Sequence, residues 1–187
     1  SETDPSWNFI SEYQVGSMGW LMSVAFFLLS TSCLFLMIAL WEYLKSIGGI
    51  IGLFLLLLSA TGMMIAAFNP TDPINTPLDK VTSQGELHQM GAMLDQIPFA
   101  AILISILLIR KHAFWKANKN SLIAITLLVL SGLILFIVSL AIYMPADRVF
   151  GPHVPVGWQN RFMIVTQGMW IMVMTHLANK VRTSGVI

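Results

Sequence analysis

The chain has 187 residues, 56% hydrophobic and only 10% charged, with a formal net charge of +1. Soluble domains carry about 25% charged residues, so an ordinary soluble domain is excluded and a membrane protein is indicated. The near-neutral balance gives no basis for expecting a nucleic-acid partner, and the single cysteine, Cys33, excludes an intramolecular disulfide and a cysteine-based metal site.

The chain opens at Ser1 on a polar stretch, with neither Met nor an apolar targeting segment, as expected of a processed, trimmed or partly represented sequence. Crossing a hydrocarbon core of about 30 Å takes about 20 mostly apolar residues. Met18 to Trp41 and Ile47 to Phe68 meet that requirement directly. Trp20 and Trp41 bracket the first of them, as an interfacial aromatic belt would. The third run, Ile97 to Ile109, is too short alone and reaches membrane length only if its helix starts near Met90. Ser121 to Met144 and Arg161 to Ala178 complete the expectation. The predicted architecture is an all-α membrane bundle, one domain over residues 1–187, with five transmembrane helices at about 18–41, 47–68, 90–109, 121–144 and 161–178. Its short links make consecutive helices antiparallel neighbours.

Charge sets an orientation. Lys45, Arg110, Lys111, Lys116, Lys119, Lys180 and Arg182 fall on one side; Lys80, Arg148 and Arg161 fall on the other. The acids are biased the opposite way, with Glu2, Asp4, Glu12, Asp72, Asp79, Glu86, Asp95 and Asp147 on the side poor in Lys and Arg. The bias of Lys and Arg toward the cytoplasm places the N-terminus of this chain outside and its C-terminus inside. The two longer outer loops, Asn69 to Gly85 and Pro145 to Gly157, are rich in proline and are the natural seat of function.

The stretch "NFISEYQVGSMGWLM", the "FNPTDP" that closes the second span, the "GELH" that opens the third and the final "QNRFMIVTQGMW" together resemble a family of multi-pass prokaryotic membrane proteins, domain of unknown function 998. The resemblance covers nearly the whole chain. It implies six spans, the first of them preceding "ISEY" and missing here, in the inner membrane of a prokaryote. It implies architecture and no activity.

The polar residues within apolar surroundings are the site candidates. In "GELHQMGAMLDQIPFA" a helix starting near Met90 puts Asp95 about 7 Å below the outer edge. His88 and Asp95, seven apart, would share a face, and Pro98 would loosen the backbone beside the acid. An ionisable group at such depth faces a bundle interior or a wet cavity. Arg161 opens the last helix at the same level with opposite charge, and Gln167 lies about 9 Å deeper. The expectation is an Asp95–Arg161 ion pair within an outer polar patch of Asp72, His88, Asp95, Arg161 and Gln167, with Arg161 able to hold a phosphate or carboxylate headgroup through its planar fork.

Among the four histidines only His88 and His153 could meet, and Asp72 could complete a zinc site with them, although no HxxxH or HExxH spacing supports it. His88 and His176 fall at opposite ends of their spans, too far apart to share a haem. The twelve methionines read as packing, and Gly48 with Gly52 reads as a close helix approach. Mid-span Ser30, Thr31, Ser32 and Cys33 have no histidine at their depth, which argues against a serine or cysteine hydrolase. No cofactor is expected. The function indicated is binding or assembly: an accessory subunit of a membrane complex, or a module holding a lipid or isoprenoid headgroup, with membrane lipids and protein subunits as partners. The alternatives are a zinc-dependent lipid hydrolase using Asp95 as base, and a proton-coupled carrier using Asp95.

Overall fold

A computed structural model describes residues 3–146 and 149–183; Glu2, Asp147 and Arg148, which entered the charge argument, lie outside the described residues. All regular structure among the described residues is helical. The helices are α1 (Gly19–Leu40), α2 (Ile47–Phe68), α3 (Ser83–Met93), α4 (Ile97–Lys111), α5 (Ala113–Ala117), α6 (Lys119–Tyr143) and α7 (Gly157–Thr183). Short 3-10 turns, Ile10–Val15 and Trp41–Tyr43, flank α1.

Apolar composition dictates the arrangement. Four stretches among the described residues are long and apolar enough to cross a membrane: Gly19–Tyr43, Ile47–Phe68, Ser83–Lys111 and Lys119–Tyr143. The expected fifth span, α7, is not among them. Its 27 residues would reach about 40 Å at 1.5 Å per residue, so length is ample. What lowers its hydropathy is a series of polar residues, and two of these, Asn160 and Gln167, are buried inside the protein. α1 packs on α2, α2 on α4, α4 on α6, α6 on α7, and α7 back on α1, while α3 packs on α2. Helices α1, α2, α4, α6 and α7 therefore form a closed ring. Large apolar side chains such as Phe35, Ile47, Phe54, Ile134 and Met172 are exposed on its outside, as a lipid-facing belt requires.

Small residues let the backbones meet. A methyl on Gly62 of α2 would strike the carbonyl of Gly91 in α3, and one on Gly91 would strike the carbonyl of Gly62. Gly52 packs on Ile104 of α4, and Gly48 on Leu107, which is the close approach the small-residue pair predicts. At one end of the ring, Trp115, Leu40 and Leu44 are buried, and His112 Nε2 donates to the Tyr43 carbonyl at 2.9 Å. This end carries Lys45, Arg110, Lys111, Lys116 and Lys119 and is called the basic end below. The opposite, lid end is closed by residues 3–17.

The third span departs most from expectation. Its helix begins at Ser83, capped by Thr82, whose hydroxyl accepts from Gly85 N, and not near Met90. It is also interrupted: α3 ends at Met93, and α4 starts at Ile97 with Pro98 in its first turn. Pro has no N–H to give the preceding turn, so the interruption falls directly before it.

Candidate functional site

Two polar regions emerge, one at the lid end and one at mid-depth. At the lid end, Arg161 in the first turns of α7 sends Nη1 to the carbonyls of Asn8 (2.7 Å), Gly157 (3.0 Å) and Pro5 (3.1 Å). Its guanidinium also lies over the Tyr13 and Trp158 rings. Asn160 Oδ1 accepts from Ile10 N, and Ser6 O accepts from Gly157 N. Gly157 has no side chain because the carbonyls of Pro5 and Asn8 occupy that space. Glu12, only 4% exposed, accepts from Asn8 Nδ2, Phe9 N and Ile74 N. Gln14 Nε2 donates to Ser23 Oγ and to the Ala66 carbonyl. The segment before α1 is thereby tied to α7, α2 and the loop after α2.

The other outer candidates serve local structure. Asp72 accepts from Thr82 N at 2.7 Å and from the Thr82 hydroxyl, bracing the cap of α3. His88, 4% exposed, donates from Nδ1 to the Asn69 carbonyl at 2.9 Å and meets the Phe26 ring edge-on. It thus closes the C-terminus of α2, where carbonyls lack helical partners. His153 is exposed beside Gly151. Among the described residues no three His, Cys, Asp or Glu side chains come together, so His88, His153 and Asp72 are not assembled into the zinc site considered from the sequence.

Between residues 3–17 and the loop after α2 lies a cavity of about 530 Å³, lined by Asp4, Trp7, Asn8, Glu12, Pro73 and Asn75 among others. Asp4 is solvent-exposed, and the Ser6 amide and hydroxyl hold its carboxyl below the usual carboxylate range, with Arg161 adding a smaller effect.

Asp95 stands elsewhere. It sits in the break between α3 and α4, where its Oδ1 accepts from Ile97 N at 3.1 Å. Ser59 Oγ of α2 accepts from Gln96 N at 2.7 Å, so two side chains satisfy the amides that the break frees. Ser59 and Gln167 both interact with the Asp95 carboxyl, and Cys33 of α1 lies within its electrostatic reach. Those neighbours lie about 13 to 21 Å along their helices from the lid end, which puts Asp95 near the middle of the bundle. It retains some accessible surface there.

The expected Asp95–Arg161 pair does not form. Arg161 is spent on main-chain carbonyls, and the one ion pair among the described residues is Lys45–Glu42, exposed at the basic end. Opposite charge points to two partly buried groups but not to their partners. Gln167 faces Asp95 instead. It is 0% exposed, and neither end of its amide makes a hydrogen bond of good geometry. Buried Gln14 and Arg161 each leave one atom unpaired as well, but both are anchored through another. The indole N–H of Trp170, one turn below Gln167, is likewise buried and unpaired.

The sequence reading did not single out Cys33 and Ser59 as neighbours of Asp95, or Asn8 and Asn160 as lid anchors. Their signal was faint, since a lone serine in an apolar span normally bonds its own helix.

The chain matches the family described as Protein of unknown function (DUF998) over residues 1–177, and it belongs to that family. The lid segment, both polar regions and all but the end of α7 lie within the match. No curated protein matches the chain, and no solved structure does.

Proposed function

We propose that this integral membrane protein binds the headgroup of an amine-bearing lipid in its lid-end cavity. The observation that carries this reading is the chemistry of the cavity wall. About 530 Å³ of space is lined by the exposed carboxylate of Asp4, two amides, Asn8 and Asn75, and the indole of Trp7, with the hydrogen-bonded Glu12 carboxylate adding negative charge behind them. That volume is within the range of ligand cavities, and an indole flanked by carboxylates favours a cation over a phosphate. Arg161, the group expected to grip a phosphate, has Nη1 committed to three carbonyls, so an isoprenoid phosphate suits the cavity less well than an amine. The cavity also opens where the helices end, which is where headgroups lie. In this reading the lid end faces outward from a prokaryotic cytoplasmic membrane and the basic end faces the cytoplasm, following the bias of Lys and Arg.

The test is to extract the protein in native-lipid particles and identify retained lipids by mass spectrometry, for wild type and Trp7→Ala. Wild type retains lipids with a free or substituted amine. The variant loses them by about tenfold, corresponding to about 1.4 kcal/mol, within the range of a cation–π contact. Retention of phosphate-terminated lipids alone, or the same amine lipids at equal level in both proteins, contradicts the reading. A co-purifying protein subunit in place of any enriched lipid would favour the accessory-subunit function.

A further inference from the structure

The break in the third span has a second consequence, independent of the lid-end cavity. Irregular backbone at membrane depth persists only where protein or a wet cavity satisfies it, and here Ser59 and Asp95 do so. Capping a short helix needs a hydrogen-bond acceptor, which serine or asparagine supplies as well as aspartate. Capping alone therefore does not explain a carboxyl at this position. Neither does ion pairing, because no Lys or Arg among the described residues lies within 4 Å of it. The groups that face it are Cys33 from α1, Ser59 from α2 and Gln167 from α7. His88, on the preceding half-helix, is turned away to Asn69. An unpaired charge in such surroundings is costly and has to be neutralised.

Two neutralising partners are available chemically, a metal cation and a proton. A hard cation takes about six oxygen ligands. The Ser59 hydroxyl is already used twice, donating to the Leu55 carbonyl and accepting from Gln96 N. That leaves the Asp95 carboxyl and the Gln167 side-chain carbonyl as side-chain ligands, so a cation would have to take most of its oxygens from the main chain of the break. A proton needs one acceptor, and the unpaired Gln167 amide can turn either end to the carboxyl, donating to its ionised form or accepting from its neutral form.

We infer that Asp95, at the break of the third span and faced by the unpaired amide of Gln167, is a proton-exchange site within the membrane. One O–H bond forms on the carboxyl as a proton arrives from water and breaks as it leaves; no other bond changes. The reorientable amide lets both states be held in one backbone. Such a site equips the protein to couple proton uptake to movement of another solute or to a change of shape.

The experiment is carbodiimide labelling of the whole protein in lipid nanodiscs. Dicyclohexylcarbodiimide partitions into membranes and adds to protonated carboxyls, and peptide mapping separates Asp95 from the thiol of Cys33. At about pH 7, where an ordinary aspartate is ionised, Asp95 is labelled. Its labelling declines several-fold as pH rises to about 9, two decades in proton activity, and is unchanged by sodium or potassium. Absence of labelling at every pH overturns the proposal, as does labelling that ignores pH, which marks a permanently neutral structural acid. Protection by sodium also overturns it, in favour of a cation site. Gln167→Leu keeps the carboxyl and removes the amide; because the charge-assisted bond to the ionised form is the stronger of the two, its labelling persists at about pH 9, and an unchanged pH profile overturns the part assigned to Gln167. None of these outcomes depends on which lipid the lid end holds.

Discussion

The lid end and the centre of the bundle are both polar, yet they use polarity in opposite ways. At the lid end, Glu12, Arg161, Asn160 and Gln14 are tied to main-chain groups of other segments, and their role is to hold residues 3–17 over the helices. At the centre, far fewer polar groups are present, and the Gln167 amide faces the Asp95 carboxyl without a hydrogen bond of good geometry. Burying a polar group without a partner costs about 1–3 kcal/mol, so an unpaired amide at depth is unfavourable to stability. Paired polarity at the lid end holds the segment that walls the cavity, whereas the Gln167 amide at the centre holds nothing together.

Substitutions can break that contrast. The largest effect belongs to neither region but to the contact that positions the broken span. Gly91→Leu drives a side chain into the backbone of α2 at Gly62 and is expected to cost about 3 kcal/mol, the upper end of overpacking penalties, read as a lowered melting temperature. Arg161→Ala comes next. It removes bonds from a charged donor to three carbonyls and should cost about 2 kcal/mol, together with new proteolytic cleavage near residue 16. Lysine should restore only part of this, because it lacks the planar fork. Since Arg161 and Asp95 have no shared partner, combining Arg161→Ala with Asp95→Asn should give additive losses. Coupling of the two would restore the ion pair expected from the sequence.

The smallest effect is at Asp4. Hydrogen bonds from Ser6 hold its carboxyl below the ordinary value of 3.8. A depressed carboxylate contributes stability that is present above its unfolded value and is lost as pH falls through the folded one. Melting curves of wild type and Asp4→Asn should therefore differ slightly above about pH 4 and converge below it.

How much of this was legible beforehand varies by region. The second span was readable to the residue, because Ser46 caps its start and "NP" stops it. The start of the third span is not legible, since Ser83–Met90 is too polar to announce a helix and depends on a Thr82 cap held by Asp72. That shift in starting point is also why depth matching chose Arg161 for Asp95. The true neighbour, Gln167, lies six residues further along α7, nearly two turns. α7 reads as weakly apolar because its polar side chains at Asn160 and Gln167 point inward, and hydropathy averages over faces that packing separates. Depth and charge could indicate that Asp95 was unusual; only the packing of α1, α2 and α7 shows what surrounds it.

The claim that the centre is kept open for function, and not for stability, rests on Gln167. Its most direct test is the melting temperature of Gln167→Leu beside that of Arg161→Ala, in the same membrane mimic. If the buried amide is unpaired, an apolar side chain of similar size leaves the protein as stable as wild type or raises its melting temperature, while Arg161→Ala lowers it. A fall for Gln167→Leu as large as that for Arg161→Ala would show that the Gln167 amide holds the fold together as Arg161 does and would contradict the account.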